Sequence, residues 1–102
     1  MLKRWLFILL ASISLASCAT TPKKTPLELA QLSFEEQNFR IAYQRLLPLA
    51  NQGEAEAQYA LGYLYYYGYG ITEDRKRAER WFRLASLNGY DKADAALEMM
   101  KQ

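Results

Sequence analysis

The 102-residue chain is 51% hydrophobic and 14% aromatic, with 13 Lys plus Arg against 11 Asp plus Glu. That length holds one small domain, and a net charge of +2 is too small to point to nucleic acid. One Cys and no His exclude an intrachain disulfide framework, a Cys-rich metal cluster, imidazole ligation and Ser-His or Cys-His catalysis.

Residues 1–17 read as an address. Lys3 and Arg4 form a charged start, and Trp5 to Leu15 is apolar apart from Ser12 and Ser14. The stretch has the length of a signal-peptide core and is short for a membrane span. Leu15-Ala16-Ser17-Cys18 follows and resembles a bacterial lipobox, with the one cysteine at the position that needs a thiol. The resemblance implies a lipid on Cys18, cleavage after Ser17 and acylation of the new amino group. Each buried methylene adds about 0.8 kcal/mol, so two or three chains anchor a protein far better than one. Ala19, where Asp would mark retention in many Gram-negative lipoproteins, implies the periplasmic side of the outer membrane. The competing reading is an ordinary secretory signal with an incidental Cys, or an uncleaved anchor. From residue 18 onward there are 11 basic and 11 acidic residues, so the remaining side-chain charge is zero.

Residues 18–26 read as the lipidated Cys and a flexible tether, because Ala19 to Pro26 is Thr, Lys and Pro with almost no apolar content. Fully extended it reaches roughly 25 Å, at about 3.1 Å per residue. Lys23 and Lys24 are either solvated or within reach of anionic headgroups.

Residues 27–102 show helical spacing throughout and no strand alternation. The spacing predicts helices over 27–37, 39–51, 54–67, 74–88 and 91–101. Thr25-Pro26 supplies an N-cap with Pro in the first turn. Pro48 predicts a kink or early end in the second helix. Asn51-Gln52-Gly53 and Leu87-Asn88-Gly89 read as stops, with Gly taking the left-handed cap.

Internal repetition is the strongest signal. Gly53, Ala57, Ala60 and Leu61 recur as Gly89, Ala93, Ala96 and Leu97, 36 residues on. Backward by the same step, Ala78 falls on Ala42 and Phe82 on Leu46. That period implies stacked helix pairs. Ala57, Leu61-Gly62, Tyr65, Gly68, Gly70-Ile71, Asp74, Ala78, Trp81, Ala85 and Gly89 stand in the register of a Sel1-like repeat, which this segment resembles. Arg77 replaces the usual Lys before Ala78. Gln37-Asn38-Phe39 with Ala42 is similar to the corner of a tetratricopeptide repeat, a related family. The resemblance implies an all-α fold: a short α-solenoid of about two such hairpins plus a C-terminal capping helix. Ala57, Ala60, Leu61, Leu64 and Tyr65 share one face of the third helix. Ala78, Trp81, Phe82 and Ala85 share the matching face of the fourth. Gly62 is placed to let two helix backbones approach.

Residues facing away from the core are the site candidates. Tyr59, Tyr63 and Tyr66 lie at i, i+4 and i+7, opposite Ala57, Leu61 and Leu64. In related stacks the first helix of each pair lines the concave surface. By that resemblance Glu56, Tyr59, Tyr63, Tyr66 and Tyr67 form a partner-binding groove, flanked by Leu27, Gln31 and Phe34 on one side and Ala95 and Met99 on the other. Tyrosine rings anchor interfaces at low entropic cost. Plain packing against neighbouring first helices explains the stripe equally well. Lys76, Arg80 and Arg83 form a basic stripe on the convex side, with Glu79 among them. It reads as a solvated face or an anion-docking surface.

No carboxylate pair marks a catalytic pocket, and neither Glu35 with Glu36 nor Glu73 with Asp74 makes a convincing metal site. No catalytic residue, cofactor or metal is expected. Some secreted Sel1-like proteins associated with β-lactams carry paired cysteines, which this chain lacks after Cys18, so that activity is not carried over. The chain therefore reads as a monomeric, lipid-anchored adapter or assembly factor that binds a protein or peptide of the cell envelope. A peptidoglycan-binding or cell-wall-enzyme accessory is the alternative, and an enzyme a more distant one.

Overall fold

The structure is a computed structural model that describes residues 22–102. The expected signal segment, the lipobox-like stretch and Cys18 lie outside the described residues. Five helices and no strand occur among the described residues: α1 (Pro26–Glu35), α2 (Phe39–Asn51), α3 (Ala55–Tyr67), α4 (Arg75–Leu87) and α5 (Asp91–Met100).

Several boundaries carry an identifiable cap, although Asn38, Glu54 and Tyr90, at the starts of α2, α3 and α5, make no side-chain cap bond. Thr25 accepts from the Glu28 amide at 3.2 Å, while its own amide donates to the Glu28 carboxylate at 2.7 Å. With Pro26 in the first turn, this is a complete capping box. Asp74 caps α4 by accepting from the Arg77 amide at 3.0 Å. At the other ends the chain turns through the left-handed region. Gly53 (φ 92°) lets Glu54 donate to the Leu49 carbonyl, and Gly89 (φ 89°) lets Tyr90 donate to that of Ala85. Both are Schellman stops. After α1 the same stop is made by Gln37 (φ 60°), a residue that pays a steric penalty there because it carries a Cβ.

Pro48 does not end its helix early. It sits inside α2, which continues to Asn51. The carbonyl it leaves without a helical donor belongs to Gln44, an exposed residue that water can reach.

Helices adjacent in sequence pack against one another, as in a solenoid. Alanines dominate the contacts: Ala30, Ala42, Ala50, Ala57, Ala78, Ala85 and Ala93 are all buried. Leu46, Leu61, Leu64 and Phe82 fill the space between them. The close approach at Gly62 has a different basis from the one expected. An added Cβ would lie 2.6 Å from the Phe82 ring, so α3 meets a ring rather than a second backbone.

The two pairs differ in their turns. Residues 36–38 join α1 to α2, and residues 68–74 join α3 to α4. The longer turn reaches back to the first pair. Tyr69 stacks on Phe39 at 4.8 Å and 18°, and a Cβ on Gly70 would lie 2.7 Å from the Arg40 amide nitrogen. Ile71 packs against both core clusters, and the Asp74 amide donates to the Tyr65 carbonyl at 2.9 Å. A buried polar brace does similar work at the helix ends: Gln58 donates to the Ala50 carbonyl at 3.0 Å and accepts from Asn88 at 2.9 Å. Among the described residues every buried side-chain polar atom has a partner. No helix among them is long and apolar enough to cross a membrane.

Candidate protein-interaction cleft

The two first helices, α1 and α3, lie side by side and leave a cleft of about 520 Å³. Leu27, Ala30, Gln31 and Phe34 form the α1 wall. Glu56, Tyr59, Ala60 and Tyr63 form the α3 wall, with Leu46 at the base and Glu35 at one end. One wall repeats at i, i+3, i+4 and i+7 from Leu27, the other at the same spacing from Glu56, so both are single helix stripes.

Hydrogen bonds and rings hold the walls in place. Gln31 donates to the Glu56 carboxylate across the cleft at 2.5 Å. Phe34 meets Tyr63 edge-on at 5.6 Å and Phe39 at 5.3 Å. Tyr59 leans on Phe82 at 5.5 Å and on Tyr90 at 5.1 Å, tying the α3 wall to α4 and the start of α5. Burial, followed by the neighbouring hydroxyls of Tyr67, Tyr69 and Tyr59, raises the Tyr63 phenol above its ordinary value. Tyr63 therefore presents a neutral O–H, able to donate as well as accept.

The cleft gathers Glu56, Tyr59 and Tyr63 from the expected site, together with Leu27, Gln31 and Phe34. Tyr66 and Tyr67 do not line it. One turn beyond Tyr63, α3 has passed the end of α1, and Phe39 and Tyr69 occupy the space alongside. Tyr67 stacks on Tyr69 at 5.3 Å and 16°, while Tyr66 packs on the Tyr65–Phe82 cluster with the Arg75 guanidinium 5.3 Å above its ring. Ala95 and Met99, on α5, are also outside the cleft wall. The tyrosine stripe is thus both packing and surface: Tyr59, Tyr63 and Tyr66 are half-buried, and Tyr67 is exposed.

Sequence reasoning passed over Ala30, Leu46 and Ala60 as lining residues, and also Glu35, the charged one, which was weighed only as a metal ligand beside Glu36. The place of Glu35 four residues after Gln31, on the Leu27 stripe, was the available signal. Among the described residues no group of three or more His, Cys, Asp or Glu side chains is arranged to hold a metal ion.

Charge divides by helix type. Neither α1 nor α3 contains a Lys or Arg, and they carry Glu28, Glu35 and Glu56. The second helices hold the cations: Arg40 and Arg45 on α2, and Arg75, Lys76, Arg77, Arg80 and Arg83 on α4, against Glu79 alone. On the side away from the cleft, the Tyr43 and Tyr65 hydroxyls are 3.1 Å apart, and Arg77 donates to Tyr65 at 3.4 Å. The bond to Tyr65, followed by burial, raises the Tyr43 phenol above its ordinary value. The bond to Tyr65 is likewise the first cause that raises Arg77, ahead of Asp74.

Alternating helix pairs, glycine-stopped second helices and a cleft between first helices define an α-helical repeat module. Residues 55–90, which span α3, the long turn and α4, match the family model described as Sel1 repeat, so this segment is similar to a Sel1 repeat. Sel1 repeats generally mediate protein–protein interaction and are generally non-enzymatic scaffolds. No curated protein matches the chain.

Proposed function

We propose that the protein is a lipid-anchored adapter of the cell envelope that binds a partner protein through the α1–α3 cleft. The observation that carries this reading is the cleft itself, which has apolar and aromatic walls, two carboxylates and no lining cation. The occupant it suits is an apolar segment, extended or helical, that carries a Lys or Arg. The apolar side chains fill the space between Leu27, Phe34, Tyr59 and Tyr63. The cation meets Glu35 or the outer oxygen of Glu56. No substrate is transformed, so binding and release are the whole mechanism.

The lipobox-like Leu15-Ala16-Ser17-Cys18 supports anchoring through Cys18, and Ala19 supports the outer membrane. Confinement to a surface raises the effective concentration of the module for partners at that surface. The test is pull-down from envelope extract with the parent and a Glu35→Lys, Glu56→Lys variant, with circular dichroism as the folding control. Loss of a reproducible partner from the still-helical variant supports the cleft. Equal recovery by both overturns it.

A further inference from the structure

The outward face of α4 combines charge with exposed apolar surface. Lys76, Arg80 and Arg83 lie on the side opposite the buried Ala78, Phe82 and Ala85. Leu87 continues that stripe at the end of α4 and is 82% exposed, and Leu84 beside it is 42% exposed. Glu79 bonds Arg83 at 2.6 Å, while Lys76 and Arg80 are in no ion pair among the described residues. A solvated helix face explains the cations but gives no reason for the two leucines. Cations interleaved with exposed leucines match the boundary between anionic headgroups and acyl chains, where both are satisfied together.

We propose that this face of α4 rests on an anionic lipid surface and so turns the α1–α3 cleft towards the partner. The proposal rests on the anchoring reading for its setting. Lipid on Cys18 would leave about eight residues before α1, a reach of roughly 25 Å, which keeps α4 within touching distance of the bilayer. Charge division completes the argument. The cation-free first helices are repelled by the same surface that attracts α4, so one orientation is favoured over its inverse. Each cation near such a surface favours the docked orientation about fivefold.

The test uses the lipidated chain that begins at Cys18, in which Trp81, beside Arg80 and Leu84 of this face, is the one tryptophan. The protein is reconstituted with vesicles of phosphatidylcholine alone or with added phosphatidylglycerol, both containing nitroxide-headgroup lipid. Association with the neutral vesicles reads the anchor, and quenching of Trp81 reads the face. The expected result is quenching several-fold stronger with phosphatidylglycerol, abolished by high salt and by Lys76→Gln, Arg80→Gln, Arg83→Gln. Equal quenching on both vesicles overturns the proposal and leaves the anchor standing. Binding only to anionic vesicles overturns the anchor and supports the face. Binding to neither overturns both. Salt-sensitive self-association without lipid assigns the stripe to a second copy of the chain and overturns the lipid proposal.

Discussion

A methyl group added at Gly62 would sit 2.6 Å from Cε1 and 2.7 Å from Cδ1 of Phe82, a ring that is itself fully packed. The ring is packed in one buried cluster with Tyr65, Ala78 and Ala96, which leaves it little room to retreat. Gly62→Ala is therefore expected to destabilise the fold by about 1–3 kcal/mol, as overpacking does. Urea denaturation checks this, and Phe82→Leu in the same chain should recover part of the loss, because the two sites share one contact. Tyrosine chemistry gives a second residue-scale prediction. Tyr43 and Tyr63 both titrate above the ordinary 10.0 in the folded protein. At alkaline pH the unfolded chain loses these protons first, so stability is full below about pH 10 and falls as pH rises through the folded values. Tyr43→Phe should flatten part of that fall in a pH series of denaturant midpoints, at a cost of about 1 kcal/mol at neutral pH for the lost Tyr65 bond.

The turn at 68–74 joins the two helix pairs alongside the packing of α2 on α3. Gly70 has φ 72° and its Cα faces the backbone of Phe39 and Arg40, which cannot move without unwinding the start of α2. Gly70→Ala is expected to cost about 2 kcal/mol or more, from left-handed strain and the backbone clash together. Thermal unfolding should show the loss, and hydrogen exchange should show it concentrated at the start of α2. Much at this scale was legible in the sequence. Thr25-Pro26, Gly53 and Gly89 act locally, so their residue types state their roles, and the 36-residue recurrence of Ala and Leu gives the pairing. Contacts made at a distance left no such trace. The stack of Tyr69 on Phe39 joins residues with no shared period, and nothing in α2 announces that a later turn will cover its first residues. Tyr66 misled for a related reason. Its spacing places it on the stripe of Tyr59 and Tyr63, but where α1 stops decides which part of that stripe faces a cleft.

The described part of the molecule has two unlike sides: a cleft walled by first helices without a cation, and second helices that carry seven of the eleven basic residues found from residue 18 onward. The overall balance hides this, since the chain from residue 18 onward has equal numbers of acidic and basic side chains. Helical periodicity identified which residues face outward, and stacking of the pairs then sorted them by sign. The most direct test of the account is site-specific photocrosslinking in cells, with a photoreactive residue at Gln31 or at Gln44. Both positions are exposed, but Gln31 lines the cleft and Gln44 lies on α2 outside it. The account predicts a discrete crosslinked protein from Gln31 that is absent from Gln44. Crosslinks from Gln44 with none from Gln31 would contradict it.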